Sequence, residues 1–200
     1  MGLISGRTTN KFGESIKAAM VALMDKDFDK IYEVYTDEYG KYEIQAKKGT
    51  YPYLIAVKDY GVEFLEFWCQ DIELKENLVI DASIDKLEVY GVKVFKVDGA
   101  YPGLMVYFRP MSLEKFLENE RDICPDIADI EVKINGEISE IFERNEVKEY
   151  GGDLEHMKAY LLHISIPKEG LKAKDNYLSL QIIDRNENLG QAGFFFAFEK

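Results

Sequence analysis

The sequence predicts an all-β protein made of two packed β-sandwiches, with one short helix in the second. Three observations carry this. Apolar and polar residues alternate with period two in segment after segment, as in strands with one buried face. Turn residues separate these segments at short intervals, the spacing of sandwiches and barrels. Strand-favouring aromatics are abundant, with 13 Tyr and 12 Phe against a single Trp. The βαβ alternation of a parallel sheet is missing.

Leu3, Ser5 and Arg7 alternate with Ile4 and Gly6, a strand over residues 3–9, and residues 10–14 read as a turn. Ile16 to Met24 is small and apolar, a second strand, followed by a polar loop from Asp25 to Lys30. Ile31 to Thr36 alternates as a third. Asp37 to Gly40 then turns the chain into Tyr42, Ile44 and Ala46 as a β-hairpin, with glycine free to take the positive φ that a Cβ obstructs. After Lys48-Gly49, Tyr51 to Lys58 is apolar on both faces, as in a central strand. Leu78, Ile80, Ala82 and Ile84 share one face of a further strand.

Strand character runs from Leu87 to Val97 with a change of parity near Gly91, which predicts a bulge or bend. The domain boundary is placed here, giving domains 1–90 and 91–200. No Pro-, Gly- or Ser-rich linker separates them, so they are expected to pack together. In the second domain, Leu104 to Phe108 is a strand, and Ser112 caps a short helix with Leu113, Phe116 and Leu117 on one side. Ile130, Val132 and Ile134 lead into Asn135-Gly136, a strong hairpin signal. Tyr160, Leu162, Ile164 and Ile166 share a strand face, and 177–184 and 193–198 form the last two strands. Phe194, Phe195, Phe196 and Phe198 occupy both faces of the final one, which fits a buried central strand; at an edge they would instead expose an apolar patch suited to a partner.

The formal net charge of −12 disfavours nucleic acid and anionic membranes as partners. Cys69 and Cys124 sit in apolar surroundings and read as small buried thiols rather than a disulfide. Neither His156 nor His163 neighbours them in sequence, as a catalytic thiol would want. No apolar run approaches the ~20 residues of a membrane span, and residues 1–24 lack a signal-peptide pattern. The expected compartment is cytoplasmic if Met1 is the native start, and extracellular if a signal peptide has been removed.

Gly6-Arg7, Asn10, Gly13-Glu14, Ile16, Ala19 and Val21, leading into Thr36-Asp37, Gly40, Tyr42, Gly49 and Tyr51, resemble the carboxypeptidase regulatory-like domain over residues 3–90. That resemblance implies a transthyretin-like (prealbumin-like) sandwich that supports neighbouring domains or binds proteins or sugars. The Tyr-Arg-Gly-Ser ending of the related hydroxyisourate hydrolases is missing from this domain. Leu3 to Thr9 contains no Lys for the isopeptide bond of collagen-adhesin repeats. Asn176 to Asp184 followed by Asn188 and Gly190 resembles the closing hairpin of bacterial immunoglobulin-like domains, over residues 91–200.

The run Glu63-Phe64-Leu65-Glu66-Phe67-Trp68 interleaves aromatics with carboxylates, and Tyr60 precedes it in a loop. Tyr60, Phe67 and Trp68 are therefore the candidate ligand-binding residues, a stacking platform for a sugar ring. In the competing reading they close a sandwich edge or the interdomain seam, since a lone Trp is usually largely buried. Asp25, Asp27 and Asp29 start like a calcium loop, but Lys30 stands where Gly is needed and Thr36 where Glu is needed. Asp184, Asn186 and Asn188 meet Leu189 at the glycine position. Both read as polar turns, and neither metal nor cofactor is expected. His163 is expected at the surface or seam, and His156 in a polar loop over Gly151–Met157. No phosphate loop, serine elbow or Cys-x-x-Cys appears. The expectation is a non-enzymatic scaffold or protein-interaction module with a protein or carbohydrate partner. A carbohydrate-binding module is the alternative, and a hydrolase with a carboxylate pair at the domain junction a second alternative. No residue is singled out as catalytic.

Overall fold

A computed structural model describes residues 1–151 and 154–198, with side chains for all of these except 151 and 154–156. Among these residues are sixteen strands and one short helix. The first half holds β1 (Gly2–Thr9), β2 (Met20–Met24), β3 (Lys30–Tyr35), β4 (Lys41–Ala46), β5 (Gly49–Val57), β6 (Phe67–Leu74), β7 (Leu78–Val79) and β8 (Ala82–Ser83). Next come β9 (Leu87–Phe95), β10 (Leu104–Ser112), α1 (Leu113–Leu117), β11 (Ile127–Ile134) and β12 (Glu137–Ile138). The chain closes with β13 (Ile141–Gly151), β14 (Leu154–Ile164), β15 (Asn176–Asp184) and β16 (Leu189–Phe196). No helix among the described residues is long and apolar enough to cross a membrane.

These strands build three sheets. A long one runs β12-β11-β15-β16-β6-β5-β2-β3, eight strands in all. Two four-stranded sheets flank it: β4-β1 with β7 and β8 pairing β1, and β13-β14-β10-β9. The two halves of the molecule are thus roughly two sandwiches that share one sheet. They are stitched by a parallel pairing of β16 with β6, Ala192 opposite Trp68, Gly193 opposite Cys69 and Phe194 opposite Gln70.

Register places the two small sheets on opposite faces of the long one. Residues paired across a sheet project to the same side. Leu23 pairs with Leu54 and Leu54 with Cys69, and all three lie in the first core with Ile4, Tyr42 and Ile44 of the small sheet. Trp68, one residue before Cys69, faces the other way. Its partner Ala192 belongs to the second core, with Leu180, Val106, Phe108 and Leu162. The side of the long sheet that is interior in the second half is therefore outward in the first. There it carries Met20, Ala22, Met24, Tyr53, Ile55, Val57 and Trp68.

Several expectations hold. Tyr42, Ile44 and Ala46 alternate buried with exposed neighbours. Asn135 and Gly136, at φ 53° and 87°, turn β11 into β12. Ser112 caps α1, and β16 lies between β15 and β6 with Phe194 and Phe196 buried. Both cysteines are free and buried, Cys69 in the first core and Cys124 in the second.

Others are corrected. The turn at Asp37–Gly40 does not close a hairpin. β3 pairs only with β2 and β4 only with β1, so the turn carries the chain between sheets. Thr36 pins this crossing, its hydroxyl donating to the Ile16 carbonyl and accepting the Ala19 amide. The second strand starts at Met20 and not Ile16. The expected strand over 78–85 is two short pieces, although Ile80, Ala82 and Ile84 do face the core. In α1 only Leu113 is buried, and Phe116 and Leu117 are exposed. Residues 154–157 belong to β14 and not a loop; the His156 side chain lies outside the described set.

Candidate functional site

Where the outward face of the long sheet meets the edge of the second small sheet, the step between layers leaves a cleft of about 320 Å³. Its floor is Tyr53 of β5 and Trp68 and Gln70 of β6, with Phe28 arching over from the β2–β3 connection. Its wall is Tyr90, Gly91 and Lys93 of β9.

Each side chain is placed by local structure. Tyr53 and Gln70 are cross-strand partners, as are Ile55 and Trp68, so pleating alone puts Tyr53, Trp68 and Gln70 on one face. Phe28 comes from the tip of the loop that resembles a calcium site. Asp25 Oδ1 accepts the amides of Asp27 at 2.9 Å and Asp29 at 3.0 Å, so the carboxylate organises the turn. Phe28 itself sits at φ 65°, a conformation that bulky residues rarely adopt. This folds its ring onto Tyr53, stacked with centroids 4.9 Å apart and 11° between planes, while the residue stays 57% exposed. Trp68 stands perpendicular to both, 90° to Tyr53 and 89° to Phe28. The three rings make a right-angled aromatic corner.

The wall depends on Gly91. At φ 62° it forms a bulge, visible as a register shift between β9 and β10. Before the bulge, Leu87 and Val89 face the second core; after it, Val92 does. The extra residue lets Tyr90 and Lys93 both line the cleft while the core pattern continues. Gln70 then closes the exposed edge of β9. Its Oε1 accepts the Val92 amide at 2.9 Å.

Behind the corner lies a pair of carboxylates, Glu88 and Glu66. Glu88 of β9 is 5% exposed, and its Oε1 accepts a hydrogen bond from Trp68 Nε1 at 2.9 Å. Its Oε2 is buried and has no hydrogen-bond partner among the described residues. Burial, and next the nearby Glu66 carboxylate, push Glu88 up to about 7. Glu66 is also raised by burial, and burial first and then Glu88 and Glu66 push Tyr60 up to about 12. The Glu66 backbone and the Tyr60 hydroxyl lie within reach of the Glu88 carboxylate and, with the Trp68 indole, offset part of its rise. Lys86 is committed to Glu114 and Arg109 to Glu149. Neither Glu66 nor Glu88 lines the cleft, so they do not face a bound molecule as a hydrolytic carboxylate pair must.

Of the three residues expected from sequence, Trp68 lies in the cleft floor and Tyr60 beside Glu88 and Glu66, 51% exposed. Phe67 is corrected: it is fully buried in the first core and offers no face to a ligand. Sequence reasoning missed Phe28, Tyr53 and Tyr90. Phe28 had a usable signal, being the one apolar residue in Asp25-Lys26-Asp27-Phe28-Asp29-Lys30. The other expected turn, 184–188, is held by Asp184 Oδ1 accepting the Asn186 and Asn188 amides. Among the described residues no three His, Cys, Asp or Glu side chains group as metal ligands. His163, expected at the surface or the seam, is buried, its Nε2 3.1 Å from the Tyr101 carbonyl oxygen.

No family model and no curated protein matches the chain. Among solved structures it is similar to a DUF3823 family protein of Bacteroides ovatus, at 13% identity over 98% of this chain and 99% of that one, with a TM-score of 0.34. A candidate carbohydrate binding protein of Bacteroides uniformis gives 14% identity, the same coverage and a TM-score of 0.34. The major pilin subunit of Bacillus cereus gives 13% identity over 100% of this chain and 69% of that chain, also with a TM-score of 0.34. These likenesses are too distant to carry function across, and the cleft's own geometry is what bears on it.

Proposed function

We propose that this chain is a non-catalytic binding module that takes a carbohydrate in the cleft between the Phe28–Tyr53–Trp68 corner and Tyr90. The observation that carries this is the corner itself: aromatic faces held at right angles beside a small open cleft. Sugar rings have apolar C–H faces that stack on aromatic rings, and hydroxyls that need polar groups at the rim. Lys93 and the tyrosine hydroxyls supply the rim, as in small-ligand sites that are largely apolar with few polar groups. The Phe28 backbone supports the reading too, because strain of this kind concentrates at ligand clamps.

The resemblance of the first half to carboxypeptidase regulatory-like domains belongs to the same proposal. Its Gly6 packs so closely that an added Cβ would overlap the Ile80 carbonyl, and Tyr42 donates its hydroxyl to that same oxygen at 2.5 Å. The immunoglobulin-like reading of the second half rests on its closing β15–β16 hairpin. In both families a sandwich displays a binding surface.

Trp68 is the only tryptophan, so its fluorescence reports on the cleft alone. Titration with cellobiose, xylobiose, maltotriose and chitobiose is expected to give a saturable change with at least one. Phe28→Ala should weaken that binding about tenfold, the loss of one stacking ring, while leaving the melting temperature unchanged. No response to the whole set, by fluorescence and by calorimetry, would overturn the proposal.

A further inference from the structure

We infer that Glu88 is the positioning residue of the cleft: its carboxylate holds the Trp68 indole upright, and the charge on that carboxylate sets how firmly. The inference deepens the binding reading and rests on its cleft. Its test uses no ligand, so the two can fail separately.

The geometry is a single tether. Trp68 Nε1 has one hydrogen bond, to Glu88 Oε1 at 2.9 Å, and it lies on the indole edge. That edge contact keeps the ring perpendicular to Tyr53 and Phe28. A hydrogen bond to an ionised acceptor is about twice as strong as one between neutral groups. The tether is therefore tight when Glu88 is charged and slack when it is not.

The surroundings make that charge easy to lose. Among the described residues Glu88 Oε2 has no hydrogen-bond partner and no ion pair reaches the carboxylate. The groups facing it are Tyr60 and Glu66 from the β5–β6 connection and Tyr90 from its own strand, none of them basic. Arg109 of β10 stands beyond Tyr90, neutralised by Glu149 of β13. Protonation near pH 7 follows. The cleft thus changes stiffness across the range in which few side chains titrate.

The test is the emission of Trp68 between pH 5 and 9 in the free protein. The wild type is expected to show one sigmoidal change with its midpoint at about 7. Glu88→Gln keeps an acceptor oxygen for the indole, so Trp68 should stay in place and the sigmoid should vanish. Glu88→Ala should lose both, with a red-shifted emission and easier acrylamide quenching at every pH. Glu66→Gln should move the midpoint down by removing a repelling charge, which keeps the inference testable if the Glu88 variants fail to fold. A flat wild-type profile, a sigmoid that survives in Glu88→Gln, or an unmoved midpoint in Glu66→Gln would overturn it.

Discussion

Glu88 stands in the fold at a cost. Its carboxylate is buried, faces Glu66, and has one oxygen without a hydrogen-bond partner among the described residues. Its folded-state value is raised to about 7, above that of an exposed carboxylate. Between those two values the folded chain binds more protons than the unfolded chain, so stability falls as pH rises through this window, and the loss is complete above about 7. Glu88→Gln should therefore stabilise the protein on the order of 2 kcal/mol at pH 8 and much less at pH 5. Melting at the two pH values measures this, and an equal gain at both would contradict it. At this scale the sequence was legible in part. The Phe67-Trp68 pair marked two aromatics as candidates, but adjacent residues of a strand point to opposite faces, and a one-residue slip exchanges them. Only the pairing of Cys69 and Leu54 decides that Phe67 goes inward and Trp68 outward.

The elements show the same division. Strands with one buried face, such as β4 with its strict alternation, were readable. β13 was not, because Glu143-Arg144-Asn145-Glu146 is polar throughout and shows no apolar alternation, as suits a sheet edge exposed to water. The Asp37–Gly40 turn misled because turn chemistry is the same whether the next strand pairs back or crosses to another sheet. The parity change at Gly91 was read correctly, and it proves to shape the cleft wall. Nothing but Arg109 Cδ, at 3.9 Å, stands near an added Cβ there, so the demand is purely on the backbone at φ 62°. Gly91→Val should cost about 1–3 kcal/mol through that strain and should weaken any ligand of the cleft, since Tyr90 and Lys93 lose their shared orientation. Chemical denaturation and the fluorescence titration read the two effects. Unchanged stability would show that the bulge tolerates a side chain.

At the scale of the molecule, the sequence suggested two sandwiches packed side by side, and the structure shows two sandwiches sharing a sheet. Period-two patterns reveal which face of a strand is buried but not its neighbours, so a parallel pairing between β6 and β16, more than a hundred residues apart, left no local trace. Its consequence for folding is direct. Phe195 and Tyr177 of the second half pack against the first core, and Ser83 donates its amide to Gln191 Oε1 at 2.8 Å. Residues 1–90 produced alone would expose the β6 edge and lose these contacts. That fragment should lack cooperative melting and should aggregate, whereas the full chain melts in one transition. A monomeric fragment with the full chain's melting temperature would refute this.

The seam between β6 and β16 is held by three opposed residues, against five in β2–β5 and eight in β15–β16. This row is shorter than the rows on either side of it, seven opposed residues in β5–β6 and eight in β15–β16, so a mechanical load across the ribbon opens it before its neighbours. Trp68 is one of the stitches. On the proposed function, a molecule wedged beside its ring would also brace the tear line, so that recognition and reinforcement would fall on one residue.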